Sequence, residues 1–342
     1  MTTTLDHRMV GVPAIDEQPL SEYLRASNLR TVVIGASKDP NAKVMLLLVD
    51  PSTRQPVLAV KVPTTDVAEA AVQAEREILE RVTAAASPDF ALTIPQVVGS
   101  VDHDGRRALV TTALRGRSMA AAYALPRHTR SASRVTHDFE VVERWADALQ
   151  SAPVGDAPAA ARDSSELLRR RFLDAPEWMI ERAAELDAAL ASAVPDPTIV
   201  HGDLWFGNVL VSDGQVSGVV DWEAGSHAAD PTRDAARFAH VYALYLDRHT
   251  RPGRAAAGHA GLSAGEWGAA VDFALNGAGW FPTIFRDFLR RALERAGASP
   301  DHWHTLALSA VAELAARTDH DDFARLHLEL FARLACRPSE RI

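Results

Sequence analysis

The 342-residue chain has one cysteine, Cys336, and three lysines, Lys38, Lys43 and Lys61, beside 33 arginines. A lone cysteine excludes an intrachain disulfide framework and a cysteine-based zinc finger, and it suits a reducing compartment. Long apolar runs are missing too. The longest stretches, such as 44–49, fall far below the roughly 18 residues that cross a bilayer. The opening MTTTLDHRMV lacks the apolar core of a secretion signal. A soluble, cytoplasmic protein with no membrane partner is therefore expected. Positive charge is in deficit: 36 Lys+Arg stand against 45 Asp+Glu, a formal charge of −9. Such a chain is poorly suited to a partner held by bulk phosphate neutralisation, so no nucleic-acid partner is expected. What remains is ordinary globular material, 47% hydrophobic and 24% charged, too apolar for a disordered chain. At about 150 residues per domain, the length suits two domains or one two-lobed unit.

The first 113 residues read mainly as strands. Apolar, β-branched runs at 31–35, 44–49 and 57–62 are separated by turn residues and predict an antiparallel meander. Val67, Ala71, Ala74, Ile78 and Val82 recur at helical spacing, which predicts a helix over 65–82 with Asp66 as its N-cap. Strands at 96–101 and 107–112 flank Asp104-Gly105, a hairpin signal. Beyond 113 the chain turns Ala-, Leu- and Arg-rich. Helices are predicted at 139–150, 164–172, 177–193, 233–246, 264–296 (broken near Gly277) and 301–334, with loops at 125–135 and 151–163. The expected fold class is α+β: a small β-rich lobe with one helix over 1–113, then a larger helical lobe over 114–342.

The segment 199–234 carries the chemistry. His201-Gly202-Asp203 is followed five residues after Asp203 by Asn208, and two β-branched runs around Asp213-Gly214 end at Asp221. A hairpin brings its ends together, so Asn208 and Asp221 face one region, with Asp203 on the loop feeding the first strand. One carboxamide and two carboxylates in that arrangement suit Mg²⁺-assisted phosphoryl transfer. Asn208 and Asp221 are hard oxygen ligands for a cation that shares its shell with phosphates. Asp203, held off the metal, can orient or deprotonate an attacking hydroxyl. Positioning and charge neutralisation do most of the work in such a reaction.

The pattern H-G-D-x-x-x-x-N from His201 to Asn208, Asp221-Trp222 after the hairpin, and Asp230-Pro231-x-x-Asp234 resemble the signature of the aminoglycoside phosphotransferase/choline kinase-like family. The resemblance implies a bilobal protein-kinase-like fold and an ATP- and Mg²⁺-dependent kinase that phosphorylates a hydroxyl of a small molecule. It implies a strand lysine on the nucleotide phosphates, paired with a helix glutamate. Lys61, inside the apolar run VLAVKV, fits the first role; one basic residue in twelve is lysine here, so its presence in a strand stands out. Glu75 fits the second role, with Glu77 in reserve. The hinge for adenine falls on Thr111, Thr112, Ala113 and Leu114. Residues 34–43 occupy the phosphate-covering loop but hold a single glycine; either Lys38 or Lys43 could touch phosphate from it, with solvated lysines the favoured reading.

For the acceptor, the resemblance points to residues from 235 onward together with Trp205, Phe206 and Trp222; Glu223, two after Asp221, could approach the metal or equally be a solvated or substrate-facing carboxylate. An amino sugar, aminoglycoside or related sugar-like metabolite is favoured, with Asp247, Asp272 and Glu294 available for an amine. No long activation segment follows Asp221, which disfavours protein substrates. A non-catalytic nucleotide-binding relative and a metal-dependent phosphohydrolase are the alternatives, and a monomer or homodimer is expected. The other chemistry-bearing residues have structural readings. His201 should orient the loop, and Asp230 and Asp234 should cap or brace. His302, His304 and His320 should be surface residues and Arg169–Arg171 a solvated run, while Trp280, Phe281, Phe285 and Phe288 should pack in the core.

Overall fold

The computed structural model describes residues 18–37, 40–125, 127–154, 160–194 and 196–336, so the opening decapeptide and Lys38 lie outside the described residues. A short helix, α1 (Leu20–Ala26), precedes the meander β1 (Arg30–Ala36), β2 (Lys43–Val49) and β3 (Pro56–Pro63). Helices α2 (Asp66–Ala85) and α3 (Pro88–Ala91) follow, then the hairpin β4 (Val97–His103) and β5 (Arg106–Thr112). The five strands form one antiparallel sheet in the order β1-β2-β3-β5-β4. Asp104 and Gly105 both take left-handed backbone, φ 53° and 78°, the geometry that matches strand twist in a two-residue turn.

Strand alternation assigns the two faces of this sheet different tasks. Leu46, Leu48, Leu58, Val60, Val62, Ala108 and Val110 point one way and pack with Leu20 and Tyr23 of α1. The opposite face carries Met45, Lys61 and Leu109, which are register partners, and looks toward α2 and the cleft. In α2 the cap is Thr65, whose hydroxyl accepts from the Ala68 N–H at 3.1 Å. Asp66, the predicted cap, instead pairs with Arg106 at 2.9 Å. The buried stripe of α2 is Ala68, Val72, Glu75, Ile78, Leu79 and Val82, shifted from the predicted one, and Val67 is exposed. Val72, Ile78, Leu79 and Val82 belong to the large core of the helical part, so α2 serves both halves of the molecule.

The helical part begins with β6 (Arg117–Ser118), α4 (Met119–Tyr123), α5 (Ala132–Gln150), α6 (Ser164–Arg171) and α7 (Glu177–Ala193). Next come β7 (Thr198–Val200), the hairpin β8 (Val209–Ser212) and β9 (Gln215–Val219), and β10 (Ser226–Ala229). It ends with α8 (Thr232–Leu244), α9 (Ala269–Asn276), α10 (Trp280–Arg295), α11 (Trp303–Arg317) and α12 (Asp321–Ala335). The predicted 264–296 helix starts only after Gly268, held at φ 78°, and breaks at 277–279. The predicted 301–334 helix is two helices. The polar run Thr318-Asp319-His320 interrupts it, and Asp321 and Asp322 then favour a new N-terminus, where the helix dipole welcomes negative charge. Phe281, Phe285 and Phe288 are buried as expected, with Phe288 packed edge-on to Phe139. Among the described residues no helix is long and apolar enough to cross a membrane.

Candidate active site

The loop between β7 and β8 is built around Asp234, near the start of α8. Its buried carboxylate accepts the N–H of His201 at 2.7 Å and of Gly202 at 2.8 Å. His201 is also buried. Its Nε2–H donates to the Val220 carbonyl at 3.0 Å, and its Nδ1 accepts the Asp203 N–H at 3.2 Å. Burial lowers its pKa, so the neutral ring acts as a strut between the β7–β8 loop and the end of β9. Gly202 has φ 79°, and a Cβ there would lie 1.9 Å from the Ala224 carbonyl oxygen. Gly202→Ala should therefore lower stability by about 2 kcal/mol or more. Chemical denaturation checks this, and a fully stable variant would disprove the tight approach.

Hairpin geometry then brings the three oxygen-bearing residues together. The Val220 N–H donates to the Asn208 carbonyl at 3.0 Å, which joins the outer ends of β8 and β9. Asn208 donates its side-chain NH₂ to the Asp203 carbonyl at 3.0 Å and to Asp203 Oδ2 at 3.2 Å, leaving Oδ1 as an acceptor for a cation. Asp221 leaves β9 with φ 73°, a conformation that aspartate tolerates better than most residues. Its Oδ1 accepts from Lys61 Nζ at 2.7 Å.

Lys61 also bonds Glu75 Oε2 at 2.5 Å, while Glu75 Oε1 accepts the Trp222 N–H at 3.3 Å. Glu75 is therefore the helix acid paired with Lys61; Glu77 accepts from Gln73 on the exposed face. Burial works against the Lys61 ammonium, yet Glu75 and Asp221 outweigh it and hold its pKa above the ordinary amine value. Burial likewise opposes ionisation of Asp221, but Lys61 keeps that carboxylate below its usual pKa. For Glu75 burial prevails over Lys61, and its pKa is raised.

Lys43 departs from expectation. It is buried, and its ammonium pairs with Glu223 across the cleft, while Asn41 Nδ2 donates to the other Glu223 oxygen at 3.0 Å. The scarcity of lysine that drew attention to Lys61 applied to Lys43 equally, but its place in a loop favoured solvent. Arg237 is a residue absent from the sequence expectations. It pairs with Asp203 Oδ1 from the face of α8 that also carries Arg233 and Asp234, a spacing that could have drawn attention to it. Burial raises the Asp203 pKa and the charge of Arg237 opposes that rise.

Beside Asp203 lies a cavity of about 570 Å³, lined by Asp203, Glu223, Arg233, Arg237 and Glu313, with 318–320 at its edge. The interruption between α11 and α12 thus forms part of its wall. Several residues expected at the acceptor are elsewhere. Trp222 is fully buried, donating to the Val219 carbonyl at 2.9 Å and packing on Trp145. Phe206 is buried and stacked on Tyr123 at 4.2 Å. Both brace the loop from inside and neither offers a wall. Trp205 is half-buried against Phe206, and Asp247, Asp272 and Glu294 are not among the cavity residues. At the hinge, the Thr112 N–H donates to Gln96 O and the Ala113 N–H to Val57 O, both at 2.9 Å, so two of the four expected adenine contacts already spend their donors.

The sequence matches the phosphotransferase enzyme family over residues 46–273, and the chain belongs to that family. The protein is thus a small-molecule phosphotransferase of the kinase type. Its fold is similar to that of aminoglycoside phosphotransferase APH(2″)-IIa, solved as a ternary complex with streptomycin and ATP. That comparison gives a TM-score of 0.52 and 12% identity, covering 93% of this chain and 97% of the other. A thermostable mutant of aminoglycoside phosphotransferase APH(4)-Ia gives a TM-score of 0.55 at 14% identity, covering 90% and 96%. Plasmodium vivax ethanolamine kinase gives 0.52 at 12% identity, covering 91% and 83%. Among curated proteins no sequence relative is found.

Proposed function

We propose that the protein transfers the γ-phosphate of ATP, with Mg²⁺, to a hydroxyl of a sugar-sized acceptor bound beside Asp203. The observation carrying this reading is the joint placement of Lys61, Glu75 and Asp221 in one ion-pair chain next to Asp203 and Asn208. The nucleotide-binding lobe is 1–113 and the acceptor lobe 114–342, with adenine meeting the hinge over residues 111–114. Lys61 serves the phosphates as a compact point charge. The free oxygens of Asn208 and Asp221 form a hard donor set that fits Mg²⁺, which supplies charge neutralisation on the phosphates. Asp203, ionised, receives or orients the acceptor hydroxyl proton.

The cavity offers carboxylates of Glu223, Glu313 and Asp319 and guanidinium groups of Arg233 and Arg237. That mixture of acceptors and donors suits a polyhydroxylated ligand, amino sugars and aminoglycosides included. The paucity of cysteine is in keeping with a cytoplasmic setting. The test is incubation with Mg-ATP and a panel of amino sugars, aminoglycosides, neutral sugars, amino alcohols and macrolides, with ADP as readout. Acceptor-dependent ADP is expected. Phosphate release without acceptor would identify a phosphohydrolase instead, and nucleotide binding without any turnover a non-catalytic relative.

A pH prediction follows from the Asp203 environment. The base must be ionised, and burial raises its pKa, so turnover should fall on acidification above the usual carboxylate range. Arg237→Gln removes the opposing positive charge. The acid limb of kcat/KM should then move to higher pH, with activity recovering on the alkaline side. An unmoved limb would exclude Arg237 as the group that keeps Asp203 ionised.

A further inference from the structure

Of the chain's three lysines, the two described ones both reach the cleft. Lys43 opens β2 opposite Pro63, and Met45 stands opposite Lys61. Lys43 and Lys61 are therefore diagonal neighbours on one face of the sheet, the spacing at which long side chains act on a common target. Their partners run in parallel: Lys61 holds Asp221 and Lys43 holds Glu223, two residues on.

The turn that presents Lys43 is tied down. The Lys43 N–H donates to Ser37 Oγ at 2.8 Å, and the hydroxyls of Thr64 and Thr65 donate to the carbonyls of Ala42 at 2.8 Å and Pro40 at 2.7 Å. The same turn has no glycine-rich stretch whose backbone could wrap phosphate, so charge has to do what a glycine nest does elsewhere. Oxygen atoms of Glu75, Asp221 and Glu223 all lie within 4.8 Å of one another. Three carboxylates therefore face two ammonium groups. A nearly buried ammonium keeps an anionic partner, yet its three rotatable donors let it exchange one oxyanion for another.

We propose that Lys43 is a second phosphate-binding lysine: with Mg-nucleotide in the cleft its ammonium passes from Glu223 to the terminal phosphate oxygens, and Glu223 turns to the cation beside Asp221. The inference rests on the phosphotransfer reading above and adds to it the residue that replaces a glycine-rich loop.

Calorimetric titration of the full chain with adenosine, metal-free ATP and Mg-ATP tests it on the wild type, Lys43→Met, Lys43→Arg and Glu223→Gln. Lys43→Met should weaken Mg-ATP roughly 10- to 100-fold, the usual worth of a charged hydrogen bond, and leave adenosine unchanged. Lys43→Arg should recover most of the loss. Glu223→Gln removes the competitor, so metal-free ATP should bind several-fold more tightly. Equal losses for adenosine and Mg-ATP would make Lys43 a structural brace and overturn the proposal, as would wild-type affinity in Lys43→Met. Wild type that binds Mg-ATP while Lys43→Met is unaffected defeats this inference alone; wild type that binds no nucleotide defeats the phosphotransfer reading with it.

Discussion

Asp203→Asn is expected to reduce acceptor-dependent ADP formation by about 10²- to 10⁴-fold, the range for loss of a positioned general base. Affinity for Mg-ATP should change little, because Asn208 and Asp221 rather than Asp203 supply the oxygens proposed for the metal. Asparagine preserves the size of the side chain and can still accept a hydrogen bond from Arg237, so the loop anchored by Asp234 should survive. What disappears is the capacity to take a proton from the acceptor hydroxyl. Single-turnover kinetics beside a nucleotide titration separates the two effects. Full turnover in Asp203→Asn would remove this residue from the chemistry.

Lys61→Met should be costly in a different way. Glu75 is 2% exposed and has Lys61 as its cationic partner. Removing one member of a buried pair strands the other, at about 3–5 kcal/mol. The stranded carboxyl is a buried acid with a raised folded-state pKa. Its penalty is therefore greatest well above that pKa and shrinks as the pH falls and the group takes a proton. Denaturant unfolding at two pH values measures this directly. The double variant Lys61→Met/Glu75→Gln should regain much of the stability yet bind Mg-ATP poorly, because the phosphate charge is still missing. If Lys61→Met unfolds at the wild-type midpoint at neutral pH, the ion pair does not hold the helix to the sheet.

Much of this site could be read along the chain because its parts sit in local elements. Asp213-Gly214 specifies a tight turn, the alternation around it specifies a hairpin, and a hairpin brings Asn208 and Asp221 together without further folding. Lys61 announced itself by chemistry, a charge in an apolar strand. Asp234 was legible as a brace through its fixed distance from Asp230-Pro231. Other features were open in the sequence for physical reasons. Trp222 and Phe206 looked available for a ligand because an aromatic residue beside a catalytic motif can face either way. Only the packing of Trp145 and Tyr123 against them decides that they face inward. Thr112 and Ala113 were assigned to adenine by position, and the pairing of their N–H groups with Gln96 and Val57 depends on how three chain segments meet.

Taken alone, the chain determined the strand-then-helix plan, the catalytic loop, the hairpin and the lysine–glutamate pair, because each depends on spacing within one element or between neighbours. The tertiary structure decided the rest: Lys43 on Glu223, 180 residues apart; Arg237 on Asp203; and a cavity lined in part by the break at 318–320. Those contacts join elements distant in sequence. Long, flexible charged side chains leave no periodic trace of which partner, of the many within the protein, will finally hold them.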